Sequence, residues 1–284
     1  MRDEFVNIPI LDNFYQTSSF FPMPVVLIST IAENGGTNLG AYSLCFPYIV
    51  GGTHAMLLIS RHDSNTSHNI QRTGVCAINF IPDDKKYTRN CVMLGYPGET
   101  TDEKMVNSIF TLQPSARTEE ERHDDTRYPD IVHEALQVFE CTWNPDYPLK
   151  VSPDSKSCHF VLHIDKIIVK ARWQTSLIEG RGFPRLPINY GFRHNAYFWF
   201  TKGQKPYKED IPKEKAVDIS AIKYAAERID SDIRWHPDAY ARLVKVPRVF
   251  LTRVVTSCIE AAKEQGIEEI TPEFLDQVRQ KQKK

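Results

Sequence analysis

The stretch SRHDSNTSHNIQRTG, residues 60–74, follows the apolar run 54–59 and ends where the chain becomes apolar again at Val75. The apolar run is typical of a buried strand. A buried strand that leads into so many hydroxyls, amides and one arginine indicates either a plain surface loop or a site that holds a phosphate. The motifs elsewhere in the sequence decide between the loop and the phosphate site.

Bulk composition is that of a globular protein with one large domain, or one domain and an appendage. The chain has 284 residues, 41% of them hydrophobic and 25% charged, and a formal net charge of -1. That charge predicts neither a nucleic-acid partner nor a polybasic membrane surface. The charged N-terminus lacks the apolar core of a secretory signal, and no apolar run approaches the roughly 20 residues of a membrane span. The expected location is the cytoplasm.

The six cysteines lie apart, at positions 45, 76, 91, 141, 158 and 258, and none belongs to a C-x-x-C pair. Scattered thiols in a chain of this size predict reduced, mostly buried side chains rather than disulfides or a metal site. Two histidines, His159 and His163, share one face of a predicted strand, where an exposed or hydrogen-bonded pair is a better interpretation than metal ligands. Cys45 lies beside a candidate site, but buried thiols are usually inert.

The first two thirds of the chain is mostly β. Apolar runs predict strands over 23–31, 37–50, 54–60 and 75–81, with a hairpin turn at 33–36. These strands are almost continuously apolar, which favours burial on both faces, as in a covered barrel wall. Further along, the pattern predicts helix over 83–113 with a break at 95–98, an exposed excursion at 113–130, extended segments at 133–143 and 158–172, and a last strand near 195–201.

The character of the chain changes after Lys202. Residues 202–215 are rich in lysine and contain two prolines, as a linker would, and helical patterns follow. Gly266 suits the end of a helix, and Thr271 with the proline and glutamate after it suits the start of another. We therefore predict two domains, 1–205 and 206–284.

The motif TSHNI, residues 66–70, places Thr66 and Asn69 on one face at the start of a helix. A helix N-terminus presents unpaired N–H groups and the positive end of the helix dipole. Further donors stand in the preceding loop: Ser60, Arg61, Ser64 and Asn65. Together these groups suit a phosphate. The alternative is that Asn65 or Thr66 simply caps the helix.

Two polar residues, Asn38 and Ser43, interrupt the apolar strand 37–50. Because they are five apart, they point to opposite faces of a regular strand, unless a bulge near Gly40 intervenes. An asparagine and nearby backbone amides could bond the edge of a flat heteroaromatic ring. The alternative is an asparagine at a hairpin edge and a hydrogen-bonded serine in the core.

Taken in order, these pieces resemble the flavin reductase-like, FMN-binding split barrel. The matching residues are Gly36-Thr-Asn38, Ser43, Ser60-Arg61, Thr66-x-x-Asn69-Ile70, the strand 75–80 and the stretch PDIVHEALQVFEC at 129–141. The resemblance covers roughly residues 15–200. It implies a mainly β fold with inserted helices (α+β), a split β-barrel to which the chain adds a small all-α C-terminal domain.

The resemblance also implies a cofactor and its ligands. Family members are homodimers that bind FMN near the subunit interface. Asn38, Ser43 and the backbone around Tyr42 would contact the isoalloxazine, which Tyr190 and Phe192 would border. The phosphate and ribityl chain would be held by Ser60, Arg61, Asn65, Thr66 and Asn69; Asn65 stands where the family often has aspartate.

The function that this resemblance implies is an FMN-dependent oxidoreductase, which takes hydride from NADH or NADPH, or electrons from a protein donor. One alternative is a non-catalytic FMN-binding electron carrier or docking module. Another is a barrel that has lost its flavin and serves only for interaction. The C-terminal helices resemble the small domain appended to the B subunit of light-independent protochlorophyllide reductase, for which we expect a docking or dimer-stabilising role without pigment chemistry.

Overall fold

A computed structural model describes residues 5–95, 98–121, 126–147, 149, 155–192, 197–207, 209 and 219–281. Parts of four predicted segments lie outside these residues: the break at 95–98, the excursion at 113–130, the strand near 195–201 and the linker at 202–215. The chain forms two compact units. The first runs to Trp173 and resumes over Pro184–Pro206, and the second comprises Gln174–Phe183 and the chain from Tyr207 onward.

The first unit is mostly strand, as predicted. Its strands are β1 (Met23–Pro24), β2 (Val26–Ile31), β3 (Thr37–Tyr42), β4 (Cys45–Gly51), β5 (Thr53–Arg61), β6 (Val75–Phe80), β7 (Leu112–Gln113), β8 (Ile131–Val132), β9 (Gln137–Trp143), β10 (Ser157–Val169), β11 (Ile188–Phe192) and β12 (Phe198–Phe200). The inserted helices are α1 (Phe14–Thr17), α2 (Asn65–Thr73), α3 (Lys85–Leu94) and α4 (Thr101–Val106). After β10 comes α5 (Ala171–Glu179), most of which belongs to the second unit.

Seven antiparallel strands form one sheet in the order β3-β2-β6-β9-β10-β5-β4. Laid flat, the two edge strands of such a sheet would lie about 29 Å apart, six spacings of about 4.8 Å. Yet only Ser43 and Leu44 join β3 to β4, and a link of that length reaches about 11 Å at most. The sheet must therefore curl until its edges approach each other. This confirms the α+β split barrel.

The prediction of a single extended segment over 37–50 was wrong. The chain leaves β3 at Tyr42 and enters β4 at Cys45, on the opposite edge of the sheet. The Leu44 carbonyl already accepts a hydrogen bond from the Ile59 N–H of β5. The apolar pattern could not show this break, because both strands are buried and the change of edge is a matter of long-range pairing.

Both faces of the central strands are buried, as the sequence predicted. One core lies inside the barrel, where Ile28 of β2 and Ile78 of β6 are fully buried. The other lies outside, where Leu27 and Ala77, the neighbours of those residues, are covered by side chains of α3. Successive side chains of a strand alternate between faces, so near-continuous apolar runs need cover on both sides.

The excursion over 113–130 was predicted to be exposed, and most of residues 113–121 are exposed, yet this segment is also attached to the sheet. Glu140 of β9 is fully buried and accepts hydrogen bonds from Ser115 Oγ at 2.5 Å and from the Ala116 N–H at 3.1 Å. Arg117 lies 3.4 Å from the Asp165 carboxylate, with its side chain only 12% exposed. Buried polar groups need such partners, which is why this segment does not stand free.

We expect the excursion to loosen in acid. The pKa of Glu121 is lowered from 4.5 to about 2, first by the Thr118 N–H and then by the Lys166 ammonium. Because the folded pKa is the lower one, the stabilisation is present above about pH 4.5 and is lost as the pH falls towards 2. Hydrogen exchange of the segment 113–121 should rise in that window. Glu121→Gln should remove this pH dependence of hydrogen exchange. The control is Glu120→Gln, a change at the exposed neighbouring residue, which should keep it. Equal behaviour of the two variants would contradict the assignment of the pH dependence to Glu121.

The second unit is helical, with its own apolar core. Its elements are α6 (Ile219–Ile229), β13 (Arg234–Trp235), α7 (Pro237–Leu243), α8 (Arg248–Glu264), β14 (Glu269–Ile270) and α9 (Pro272–Lys281). The predicted caps are confirmed: Gly266 follows α8 with a φ of 64°, and Thr271 Oγ1 accepts the Phe274 N–H at 3.3 Å. None of the described helices is long and apolar enough to cross a membrane.

Candidate functional site

A cleft of about 560 Å³ opens in the first unit where the two edges of the curled sheet approach each other. It surrounds the Ser43–Leu44 link, and four of the predicted site residues line it: Tyr42, Ser43, Ser60 and Arg61. Much of the remaining wall is apolar or aromatic, with Phe14, Phe21, Met23, Phe46 and Phe198. A mostly apolar cleft with a few convergent polar groups is typical of a ligand site.

Four hydroxyls meet at the polar end of this cleft, and we call them the hydroxyl cluster: Tyr42, Ser60, Ser64 and Ser67. The Tyr42 oxygen lies 2.7 Å from Ser60 Oγ and 3.2 Å from Ser64 Oγ. Ser60 and Ser64 are 2.8 Å apart, and Ser67 donates to Ser60 at 2.9 Å. The cluster therefore connects the end of β3 to the end of β5 and the start of α2.

Ser64, rather than Asn65 or Thr66, is the N-cap of α2. Its side chain accepts the Ser67 N–H at 3.1 Å, and α2 begins one residue later at Asn65. Asn65 instead donates to the Glu99 carbonyl at 3.0 Å, which ties α2 to the loop before α4. The sequence offered several adequate caps in a row, and only the position of the strand end selected among them.

Arg61 lies at the mouth of the cleft with its side chain 60% exposed. Its guanidinium donates to both carboxylate oxygens of Asp63, at 3.0 and 2.6 Å. This hydrogen bond lowers the pKa of Asp63. Since exposed ion pairs are weak, a phosphate could displace Asp63 as the partner of Arg61. The sequence analysis did not consider Asp63.

The predicted residues Asn38, Thr66 and Asn69 do not line the cleft but are buried behind it. Asn38 and Asn69 both donate to Thr30 Oγ1, at 3.4 and 3.0 Å. Thr66 is 2% exposed and Asn69 is 5% exposed. The strand β3 is regular, without the bulge that was considered near Gly40, so Asn38, Gly40 and Tyr42 share the inner face of the barrel. The structure thus divides these predicted residues into two groups. The outer group lines the cleft and consists of Tyr42, Ser43, Ser60 and Arg61; the inner group lies behind it and consists of Asn38, Thr66 and Asn69.

Ser43 is held by a residue that the sequence analysis missed. Asn189 of β11 donates from Nδ2 to Ser43 Oγ at 2.6 Å and lines the same cleft. The two residues are 146 positions apart, and no local pattern marks Asn189. The neighbouring Tyr190 and Phe192, which were expected to border the ring, are not among the lining residues.

A mostly buried cation lies next to the inner group. Lys104 of α4 is 9% exposed, and the nearest opposite charge that acts on its ammonium is the Glu99 carboxylate. Thr101, one helical turn earlier on the same face, donates to Asn38 Oδ1 at 3.2 Å. Burial lowers the pKa of Lys104, and the Glu99 charge opposes that shift without cancelling it. A cation in a mostly buried position is costly, so this residue favours an anionic ligand nearby.

Cys45, considered as a reactive thiol, and the pair His159 and His163, considered as metal ligands, do not line this cleft. Burial raises the pKa of the Cys45 thiol, which keeps it protonated and unreactive. His159 and His163 lie on β10, and His163 contacts Asn144 at 3.2 Å. Across the described ranges, no group of three or more His, Cys, Asp or Glu side chains is arranged to hold a metal ion.

Comparison with solved structures shows similarity to flavoredoxin from Methanosarcina acetivorans, at 18% identity and a TM-score of 0.50 over 74% of this chain and 98% of that one. Component B of nitrilotriacetate monooxygenase from Bacillus cereus scores 0.48, at 16% identity over 72% and 100%. The styrene monooxygenase flavin reductase from Pseudomonas putida S12 scores 0.47, at 10% identity over 69% and 99%. No family model and no curated protein matches the sequence.

At such identities the likeness is one of fold, and it rests on the flavoredoxin match. It confirms the split barrel that the ordered motifs predicted. The resemblance of the C-terminal helices to the protochlorophyllide reductase domain stays a prediction.

Proposed function

We propose that this protein is an FMN-dependent oxidoreductase that takes electrons from NADH, NADPH or a protein donor. The observation that carries the proposal is the cleft at the meeting of the sheet edges. It joins an aromatic wall to a hydroxyl cluster and an arginine, as a flat ring with a phosphorylated side chain requires.

The residues present fit FMN in size and chemistry. A cleft of about 560 Å³ falls within the usual range for ligand sites, roughly 300–1,000 Å³. The hydroxyl cluster stands at the N-terminus of α2, which is nine residues long, so hydroxyls, helix dipole and backbone N–H groups favour an anion together. Arg61 adds charge-assisted hydrogen bonds, and Lys104 adds a second positive charge.

In this proposal residues of both the outer and the inner group hold each part of the cofactor. Ser43, positioned by Asn189, bonds the ring edge together with the backbone at Tyr42 and with Asn38. Ser60, Arg61, Asn65, Thr66 and Asn69 bind the phosphate and ribityl chain. Phe14 and Phe21 of the N-terminal segment form part of the aromatic wall of the cleft and exclude water from the ring.

FMN, when bound, supplies the reversible uptake of a hydride or of single electrons. The chain's own residues bind and orient it and set the polarity around it. No acid–base residue is required by this role.

We further propose a homodimer in the cytoplasm. Several apolar side chains of the N-terminal segment are exposed in the single chain: Phe5, Val6, Ile8, Ile10, Leu11, Phe14, Phe20 and Phe21. Exposed apolar surface of this kind supports an interface with a second copy. Six free cysteines, five of them buried, support a reducing compartment. Sedimentation of the purified chain should give twice the mass of 32.7 kDa.

The test of function is an absorbance spectrum of the purified protein, taken before and after adding FMN and then NADH or NADPH without oxygen. Flavin bands that bleach quickly would support the oxidoreductase and identify the nicotinamide. Bands that persist would leave an electron carrier with a protein donor. Failure to bind FMN at micromolar concentration would refute the proposal.

A further inference from the structure

In the arrangement that the structure shows, the outer residues line the cleft and the inner residues do not. Ser43, Ser60 and Arg61 belong to the lining, although Ser60 is only 2% exposed. Thr66, Asn69 and Asn38 are outside the lining and have exposures of 2%, 5% and 0%. The residue that stands between them is Tyr42, which lines the cleft from one side and packs towards the barrel interior on the other.

Gly40 shows how close the side chains of Tyr42 and Thr66 lie to each other. A Cβ atom built on Gly40 would lie 2.6 Å from Thr66 Oγ1 and 2.8 Å from Tyr42 Cε2. The threonine hydroxyl and the tyrosine ring therefore both rest on the same glycine. The absence of a side chain at position 40 leaves room for the edge of the ring there. Because Tyr42 lines the cleft and the adjacent Thr66 does not, we infer that the ring lies between the cleft and the Thr66 hydroxyl.

The Tyr42 hydroxyl fastens the ring in place. It lies 2.7 Å from Ser60 Oγ and 3.2 Å from Ser64 Oγ. Ser60 is one of the groups that the proposed function assigns to the phosphate, and Ser64 stands beside it in the hydroxyl cluster. The tyrosine hydroxyl and a phosphate would therefore compete for the same partners, and a phosphate that takes them releases the ring.

We propose that Tyr42 is the gate of the cofactor site: it closes over Thr66 in the free protein, and it swings away when a phosphorylated flavin takes its place on the hydroxyl cluster. This inference rests on the proposed function. Closure slows the association of FMN and lowers its apparent affinity. Only the open fraction binds, so the apparent affinity is the intrinsic affinity reduced by that fraction.

The variant Tyr42→Phe distinguishes two roles for the Tyr42 hydroxyl: fastening a gate, or binding FMN directly. The variant keeps the ring but removes two hydrogen bonds that hold it closed, each with a modest net contribution. The open fraction should rise about tenfold, and with it the association rate of FMN. If the hydroxyl were instead a direct ligand of FMN, the same change would weaken binding and leave the association rate unchanged or lower.

The first experiment needs no flavin. Thr66→Cys, in a background where the half-buried Cys158 is replaced by alanine, places a thiol directly behind the gate. Its reaction rate with a soluble thiol reagent should rise about tenfold when Tyr42→Phe is added. Tyr48→Phe, a tyrosine on β4 that is 41% exposed, is the matched control and should leave the rate unchanged. A thiol rate that stays the same with and without Tyr42→Phe would overturn the gate.

The second experiment is stopped-flow binding of FMN to the intact protein and to Tyr42→Phe, and it does not depend on the cysteine variant folding. Faster association in Tyr42→Phe supports the gate, and unchanged or slower association overturns it. If neither protein binds FMN while the thiol rate still responds to Tyr42, the proposed function has failed and the closure over Thr66 stands. The two failures are thereby distinguished.

Discussion

Replacing Arg61 and Thr66 together with alanine should lower the affinity for FMN about a hundredfold. Arg61 supplies charge-assisted hydrogen bonds, worth about 1.5–3 kcal/mol to a charged group, and Thr66 supplies a hydroxyl worth about 1 kcal/mol. At about 1.4 kcal/mol for each factor of ten, the sum corresponds to roughly two orders of magnitude. Competition from Asp63 for the guanidinium reduces the contribution of Arg61 and is included in this estimate.

Riboflavin, which has the ring but no phosphate, makes this measurement specific. Its affinity should change little in the double variant, because both residues are assigned to the phosphate end. Arg89→Ala with Thr53→Ala removes the same groups from exposed positions on α3 and β5 and should bind FMN normally. Titration followed by flavin fluorescence gives all the affinities. An equal loss for riboflavin and FMN would contradict the assignment of Arg61 and Thr66 to the phosphate.

Gly40→Ala should destabilise the first unit by about 1–3 kcal/mol, the usual range for a side chain forced into a packed interior. The new Cβ would lie 2.6 Å from Thr66 Oγ1 and 2.8 Å from Tyr42 Cε2. The first contact is with a short side chain on α2, and the second is with a rigid ring. Either the helix shifts or Tyr42 leaves its place, so the hydroxyl cluster should also be disturbed.

Denaturant unfolding of the full chain, followed by tryptophan fluorescence, measures the effect. Gly95→Ala is the control, because its Cβ would come no closer than 3.3 Å to Cys91 O and its φ is -81°. Adding Thr66→Ala to Gly40→Ala removes the closest clash and should restore part of the stability. Full stability of Gly40→Ala alone would show that Tyr42 and Thr66 do not rest on the glycine.

Much of the candidate site could be predicted from sequence because its motifs are local. The order of Asn38, Ser43, Ser60-Arg61 and Thr66-x-x-Asn69 lies within 32 consecutive residues, and the start of α2 follows from its capping residues to within one position. The residues that were missed belong to the site only through contacts that the fold makes. Asn189 reaches Ser43 from 146 residues away, and no local pattern marks Ser67, whose hydroxyl joins the cluster because the end of β5 lies beside it.

The sequence by itself determined the buried strands, the helix that follows Arg61 and the change to a helical C-terminal unit. These features depend on the periodicity of apolar residues and on glycine, proline and capping residues, which act over a few neighbours. Only the tertiary structure decided that the segment 37–50 divides between opposite edges of the sheet. It alone placed Tyr42 beside Thr66, and it alone divided the predicted cofactor residues into those that line the cleft and those that do not. The physical reason is that these arrangements come from pairing and packing between strands distant in sequence, which local periodicity does not encode.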